Sequence, residues 1–136
     1  MEITSKIDKK NNIVYRKCTG SITIMDIIQE IKNTMLKKAF EENMNGVWDF
    51  STAKLDISVE NLEGLYPWLE TVEDSRGNRY KVALIINRDN YPIAAVHAAF
   101  SMIKMMPFEM KIFSDIMETK GWLGLDDDVI QNLTRK

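Results

Sequence analysis

The sequence predicts an α/β domain with the element order ββαβαβαβα, built on a five-stranded mixed sheet with helices packed against it. Two short segments of strand character are separated by only four polar residues at the start of the chain. Segments of helical periodicity then alternate with further apolar segments, and one of these, residues 82–86, is an unbroken apolar run. Such alternation is typical of a mostly parallel sheet, and such a run is typical of a central strand buried on both faces.

The chain opens with a predicted antiparallel hairpin. Residues 3–8 alternate between apolar or small and polar side chains, which is the period of a half-buried strand. The polar residues 9–12 form a turn, and residues 13–19 read as the second strand, ended by Gly20. Strands joined by so short a connection must run antiparallel.

Two helices are then predicted from their caps and their apolar spacing. Thr23 and Asp26 resemble a capping box that begins a first helix over residues 23–40. Ser58 can cap a second helix. Pro67 lies inside the second pattern, so we expect either a kink or a first turn that begins later.

The remaining elements follow from turn residues and apolar runs. The predicted strands are residues 47–50 after the turn Asn45-Gly46, residues 80–87, and residues 110–113. A third helix is predicted over residues 92–106, with Asp89 or Asn90 as its cap, and a short final helix starts at Ser114 or Asp115, passes through Trp122 and stops at Gly124. The tail, residues 125–136, adds one more turn. We expect residues 1–136 to form one domain.

Composition excludes several functional classes. The 136 residues are 45% hydrophobic and 28% charged with a formal net charge of −2, so no large positive field is available for a nucleic-acid backbone. No apolar run approaches the roughly 18 residues that a membrane-spanning helix needs, and the N-terminus lacks a signal-peptide pattern. The single cysteine, Cys18, suits a reducing compartment. A soluble, cytoplasmic protein without a transmembrane segment is expected.

Polar residues follow the predicted parallel strands, where ligands of such sheets usually bind. They are Asp49, Ser51 and Thr52 after the third strand, Arg88 and Asp89 after the fourth, and Ser114 and Asp115 after the fifth. Helix capping and turn closure are the favoured roles for these residue types at these places. The sequence has no second acid two residues after Asp49 and no glycine-rich phosphate loop. A hydrolase using Asp49 and Ser51 is therefore the least favoured interpretation. The only histidine, His97, cannot build a His-based metal site by itself, and neither a metal nor a cofactor is expected.

Methionine is the most unusual feature of the composition, with nine in the chain. Methionine adapts readily to apolar partners, although core filling is its commoner use. On a helix over residues 92–106 the apolar side chains spread around most of the circumference, so some must point away from the sheet. We therefore predict that the C-terminal half of this helix lines an apolar pocket or a homodimer contact. The predicted site residues are Phe100, Met102, Met105, Met106 and Met110.

Several short motifs resemble the small bacterial SpoIIAA-like proteins, which are grouped with the STAS and CRAL-TRIO folds. The motifs are Gly20-Ser21-Ile22-Thr23 with Asp26, Ala39-Phe40, Val47-Trp48-Asp49, Lys54-Leu55-Asp56-Ile57-Ser58, Arg79-Tyr80-Lys81-Val82-Ala83, and Ile112-Phe113-Ser114-Asp115 with Trp122-Leu123. The resemblance covers roughly residues 1–124 and implies the same fold class.

The resemblance also implies a way of acting. Anti-sigma-factor antagonists of this superfamily dock a partner protein and release it when a serine at the start of the helix after the third strand is phosphorylated. Ser58 stands near that place, in Asp56-Ile57-Ser58-Val59 rather than an Asp-Ser-Ser-Gly run. We therefore expect a non-catalytic regulatory or binding module that acts through a protein partner or as a homodimer. The alternative is a carrier or sensor of a small apolar ligand or lipid, as CRAL-TRIO domains are.

Overall fold

The computed structural model describes residues 2–87, 106 and 108–135. The strands are β1 (Glu2–Asp8), β2 (Ile13–Thr23), β3 (Asn45–Asp56), β4 (Lys81–Ile85) and β5 (Glu109–Phe113). The helices are α1 (Ile24–Met35), α2 (Val59–Thr71), α3 (Glu73–Arg76), a 3₁₀ helix (Ile116–Thr119), α4 (Lys120–Leu123) and α5 (Asp127–Thr134).

The strands form one five-stranded sheet in the order β1-β2-β3-β4-β5. β1 pairs antiparallel with β2, whereas β2, β3, β4 and β5 pair in parallel. The predicted fold class, a mixed sheet that begins with an antiparallel hairpin, is confirmed. The short connection after β1 forces the hairpin, and the helical connections from β2 to β3 and from β3 to β4 allow those strands to run in parallel.

The second and third strands are longer than the sequence predicted. Beyond a bulge, their ladder continues from the pair Thr19 and Thr52 to the pair Thr23 and Asp56. The prediction that Gly20 ends β2 is wrong, because Gly20 pairs with Ala53 and the strand continues to Thr23. Gly20 has a φ of 76°, which a glycine adopts without strain. The pattern within a short stretch of sequence cannot show that two distant segments form hydrogen bonds with each other and so lengthen both strands.

The central strand β4 divides the hydrophobic core into two layers. Val82 and Leu84 pack on the face that carries α1 and α2, while Ala83 and Ile85 pack on the face that carries α4 and α5. All four side chains are buried, as expected for an apolar run that has a helical layer on each side.

The first two helices begin at the predicted caps. Thr23 accepts a hydrogen bond from the backbone N–H of Asp26, and Ser58 accepts one from that of Asn61, each inside a complete capping box. The prediction that α1 extends to residue 40 is wrong, since the helix ends at Met35. The prediction of a later first turn in α2 is also wrong, because the helix begins directly after Ser58 and runs through Pro67.

The segment after β5 covers the second face of the sheet. Asp115 caps the 3₁₀ helix, and Gly124 ends α4 in the left-handed conformation with a φ of 68°. The tail forms the two-turn helix α5 rather than a single turn, and Asp126 caps it. Its buried side chains, which pack against the sheet together with Leu123 and Leu125, are Val129, Ile130 and Leu133.

The predicted helix over residues 92–106, its caps Asp89 and Asn90, and His97 fall outside the described residues, apart from Met106. Among the helices of residues 2–87 and 108–135, none is long and apolar enough to cross a membrane.

Candidate functional site

A cavity lies between the sheet and the layer formed by α1 and α2. Its volume is about 50 Å³, well above the roughly 10–15 Å³ needed to hold one water molecule. Among the described lining residues, the side chains are aliphatic, thioether or aromatic apart from two arginines. The described residues that line it are Arg16, Ile27, Ile31, Trp48, Phe50, Leu65, Leu69, Arg76, Tyr80, Val82, Leu84, Met106, Phe108 and Met110.

Arg16 enters the cavity from β2, where it points to the same face as Cys18. Its side chain is fully buried and lies over the ring of Trp48, with 4.4 Å between Cζ and the ring centroid. Its Nη2 donates to Thr34 Oγ1 over 3.0 Å, and its Nε lies 3.5 Å from the carboxylate of Glu30. Burial lowers the pKa of Arg16 to about 10, against the opposing effect of Glu30. The guanidinium group is therefore charged at neutral pH.

Arg76 enters the cavity from α3, which Gly77 ends with a φ of 84°. Its Cζ lies 3.7 Å from the ring centroid of Tyr80 and 5.3 Å from that of Phe40, so the planar group packs against two aromatic rings. Burial lowers the pKa of Arg76. The side chain makes no ion pair with a carboxylate of residues 2–87, 106 or 108–135.

Both arginines retain buried N–H groups with no acceptor among the described residues. These groups are on Nε of Arg16 and Nη1 of Arg76. The Glu30 carboxylate is close enough to Arg16 Nε for an ion pair, but not in hydrogen-bonding geometry. Unsatisfied buried donors are rare in folded proteins, and each one calls for an explanation such as an absent water or ligand.

The sequence-predicted methionines lie only partly within the described structure. Met106 is buried against Leu65 and Leu69, and Met110 is half-buried nearby, so both line the cavity. Phe100, Met102 and Met105 fall outside the described residues.

Sequence reasoning missed the two arginines. The one available signal was the alternation in β2, which places Arg16 on the same face as the apolar Val14 and Cys18. Arg76 carried no such signal, because it belongs to a single helical turn that the sequence pattern described only as the end of a helix.

The opposite face of the sheet carries a polar cluster around Asp49. Its Oδ2 accepts from the hydroxyl of Tyr15 over 2.9 Å and from Nζ of Lys17 over 3.3 Å, and its Oδ1 accepts from the hydroxyl of Ser51 over 2.6 Å. The prediction that Asp49, Ser51 and Thr52 follow the third strand is wrong, because β3 continues through Asp56.

These contacts determine what Asp49 can do chemically. Burial raises its pKa, but the hydrogen bonds from Ser51 and Tyr15 and the charge of Lys17 outweigh burial and hold the pKa of Asp49 below its ordinary value. Such a carboxylate is a weak general base, and its oxygens are already occupied by donors. Desolvation and the neighbouring Asp49 raise the pKa of Tyr15, so the phenol stays protonated.

Ser58 and Asp115, two other polar residues that the sequence singled out, serve as helix caps, and so does Asp126. Ser58 is exposed at the N-terminus of α2, where its backbone N–H also donates to Asn61 Oδ1 over 3.0 Å. Asp115 and Asp126 cap the helices that follow them, and Arg88 and Asp89 lie outside the described residues. Within the described ranges, no group of three potential metal ligands comes together.

The architecture defined by this sheet, its hairpin and its two helical layers is the SpoIIAA-like fold. A solved structure with that fold, an uncharacterised protein of the DUF3478 family from Shewanella loihica PV-4, superposes on 89% of this chain and 93% of its own with a TM-score of 0.56. The two sequences are 18% identical. No family model matches the sequence, and comparison with curated proteins finds no match.

Proposed function

We propose that this protein is a non-catalytic binding module of the STAS-like type that holds a small ligand with an apolar part in the cavity between the sheet and the α1–α2 layer. The observation that carries the proposal is the cavity itself. Protein interiors are packed as densely as organic crystals and leave few voids larger than a water molecule. A cavity of about 50 Å³ between the sheet and the α1–α2 layer therefore favours an occupant.

The chemistry of the wall supports a binding role rather than catalysis. The described lining residues include no serine, cysteine, histidine or carboxylate that could act as a nucleophile or general base. Cys18 lies outside the wall, and burial raises the pKa of its thiol to about 12. On the opposite face, the Asp49 carboxylate has a lowered pKa and its oxygens are already occupied by donors, so it is a weak general base.

Native mass spectrometry of the protein purified from the organism that makes it tests the proposal. The expected spectrum contains a non-covalent adduct beyond the mass of the polypeptide. The variant L65F should lose that adduct, because Leu65 is buried in the cavity wall and a larger ring there occupies the space. The matched control L36F changes a residue that is 84% exposed and should keep it.

Thermal unfolding establishes that L65F is folded before its spectrum is interpreted. The proposal fails if the wild-type protein carries no adduct under gentle ionisation. It also fails if folded L65F keeps the adduct at the wild-type level.

Contact with a protein partner is the second candidate, and one surface favours it. The pairing of Thr23 with Asp56 places the N-termini of α1 and α2 at the same edge of the sheet, where the Ser58 hydroxyl is exposed and Met25 is 65% exposed. A photo-crosslinking amino acid at Met25 should then trap one specific protein in cells, whereas the same residue at the exposed Gly121 should not. Equal labelling at both positions argues against this surface.

A further inference from the structure

Within residues 2–87, 106 and 108–135, the two cavity arginines lack part of the counter-charge and some of the acceptors that a buried guanidinium group needs. Moving a guanidinium group out of water is costly unless a counter-charge and acceptors replace its hydration. For Arg16, Glu30 supplies a counter-charge and Thr34 accepts one hydrogen bond. Among the described residues, the partners of the Arg76 guanidinium are aromatic faces, which attract a cation but accept no conventional hydrogen bond from Nη1.

The two guanidinium groups converge on one place. Both approach the backbone of Gly46, where an added methyl group would lie 3.5 Å from Arg16 Nη1 and 3.9 Å from Arg76 Nη2. Their mutual repulsion lowers the pKa of Arg16 further, after the larger effect of burial. The absence of a side chain at Gly46 leaves room beside both cations.

Counted over the described lining residues and Glu30, the charges leave one positive charge without a partner. Arg16 and Arg76 contribute two positive charges, and Glu30 contributes one negative charge. Tyr80 adds none, since burial raises its pKa to about 12. A single anion would balance the set and provide acceptors for the unsatisfied N–H groups.

We propose that the occupant of the cavity is an anionic amphiphile, a carboxylate that carries a hydrocarbon chain. Its carboxylate lies at Arg76 and Arg16, and its chain runs along the apolar wall formed by α2 and Met106. This inference rests on the proposed function and specifies its ligand. A carboxylate fits the charge better than a phosphate monoester, because a monoanion neutralises the set and a dianion reverses its sign.

Calorimetric titration with three probes of equal chain length tests the head group. Octanoate should bind at least about tenfold more tightly than octan-1-ol, since charge-assisted hydrogen bonds replace neutral ones, and octyl phosphate should bind less tightly than octanoate. In the variant R76M the affinity for octanoate should fall by about tenfold or more while that for octan-1-ol is unchanged. The control R79M removes an exposed arginine three residues away and should bind all three probes as the wild type does.

The outcomes separate the two proposals. If octan-1-ol binds as tightly as octanoate, the cavity is a ligand site and the anionic head group is wrong. If octanoate binds equally to the wild type and to folded R76M, the head group does not lie at the arginines and the inference is also wrong. Tighter binding of octyl phosphate overturns the choice of a carboxylate. If no probe binds, both the inference and the proposed cavity site fail.

Discussion

Removing the charge of Glu30 should destabilise the protein by about 2–3 kcal/mol. Arg16 and Glu30 side chains are 2% and 12% exposed, and the Nε to Oε1 distance is 3.5 Å. At an effective dielectric constant of about 20, two unit charges at that distance attract by roughly 5 kcal/mol. Part of this attraction is recovered in E30Q, because burying the carboxylate is itself costly and the amide oxygen can still accept from Thr34 Oγ1. Breaking a buried pair typically costs about 3–5 kcal/mol, and the small exposure of Glu30 reduces that figure.

Urea unfolding at neutral pH measures this prediction. The midpoint for E30Q should fall while the dependence of the unfolding free energy on urea stays the same, since the exposed surface does not change. The double variant R16M/E30Q should recover most of the loss, because neither residue of the pair is then charged and methionine fills the volume. A loss below about 0.5 kcal/mol in E30Q would show that Arg16 does not depend on Glu30.

Two further predictions concern the sheet. D49N should lose about 2 kcal/mol of unfolding free energy at neutral pH, as expected for hydrogen bonds to a charged group. Because the pKa of Asp49 is lower in the folded state, this contribution is complete above the pKa of the unfolded state and should disappear as the pH falls through the pKa of the folded state. The acid-unfolding curves of D49N and the wild type should therefore converge at low pH. Cys18, fully buried with a raised pKa, should resist iodoacetamide in the native protein and react after unfolding in urea, and rapid native labelling detected by mass spectrometry would contradict the packing described.

Periodicity and caps were sufficient to predict the fold because they act locally. The capping boxes at Thr23 and Ser58 and the apolar run of β4 each determine their element within a few residues. The lengths of β2 and β3 could not be predicted, because a bulged ladder between distant segments stabilises their C-terminal halves. The position of Asp49 was wrong for the same reason.

The cavity could also be predicted only in part, because it is formed by contacts between segments far apart in the chain. Its apolar wall was partly predicted from methionines, since Met106 and Met110 do line it, although their role in binding stays a prediction. Its charged wall required three segments far apart in the chain, β2, α1 and α3, to bring Arg16, Glu30 and Arg76 together. No spacing rule relates such residues, because only the folded backbone sets the distances between them.

The order of strands in the sheet has a consequence for how the chain emerges during synthesis. Each parallel strand is added beside the previous one, and the helices α1 and α2 that connect β2 to β4 lie on a single face. Among the described residues, the other face, which includes Ile13, Tyr15 and Val47, is covered by the segment after β5. A ribosome that adds about 5–20 residues each second therefore releases the whole sheet before its second cover. During that interval the nascent chain exposes a continuous apolar face of the sheet. A chaperone bound to that face would prevent aggregation until the C-terminal helices have been synthesised and have packed against it.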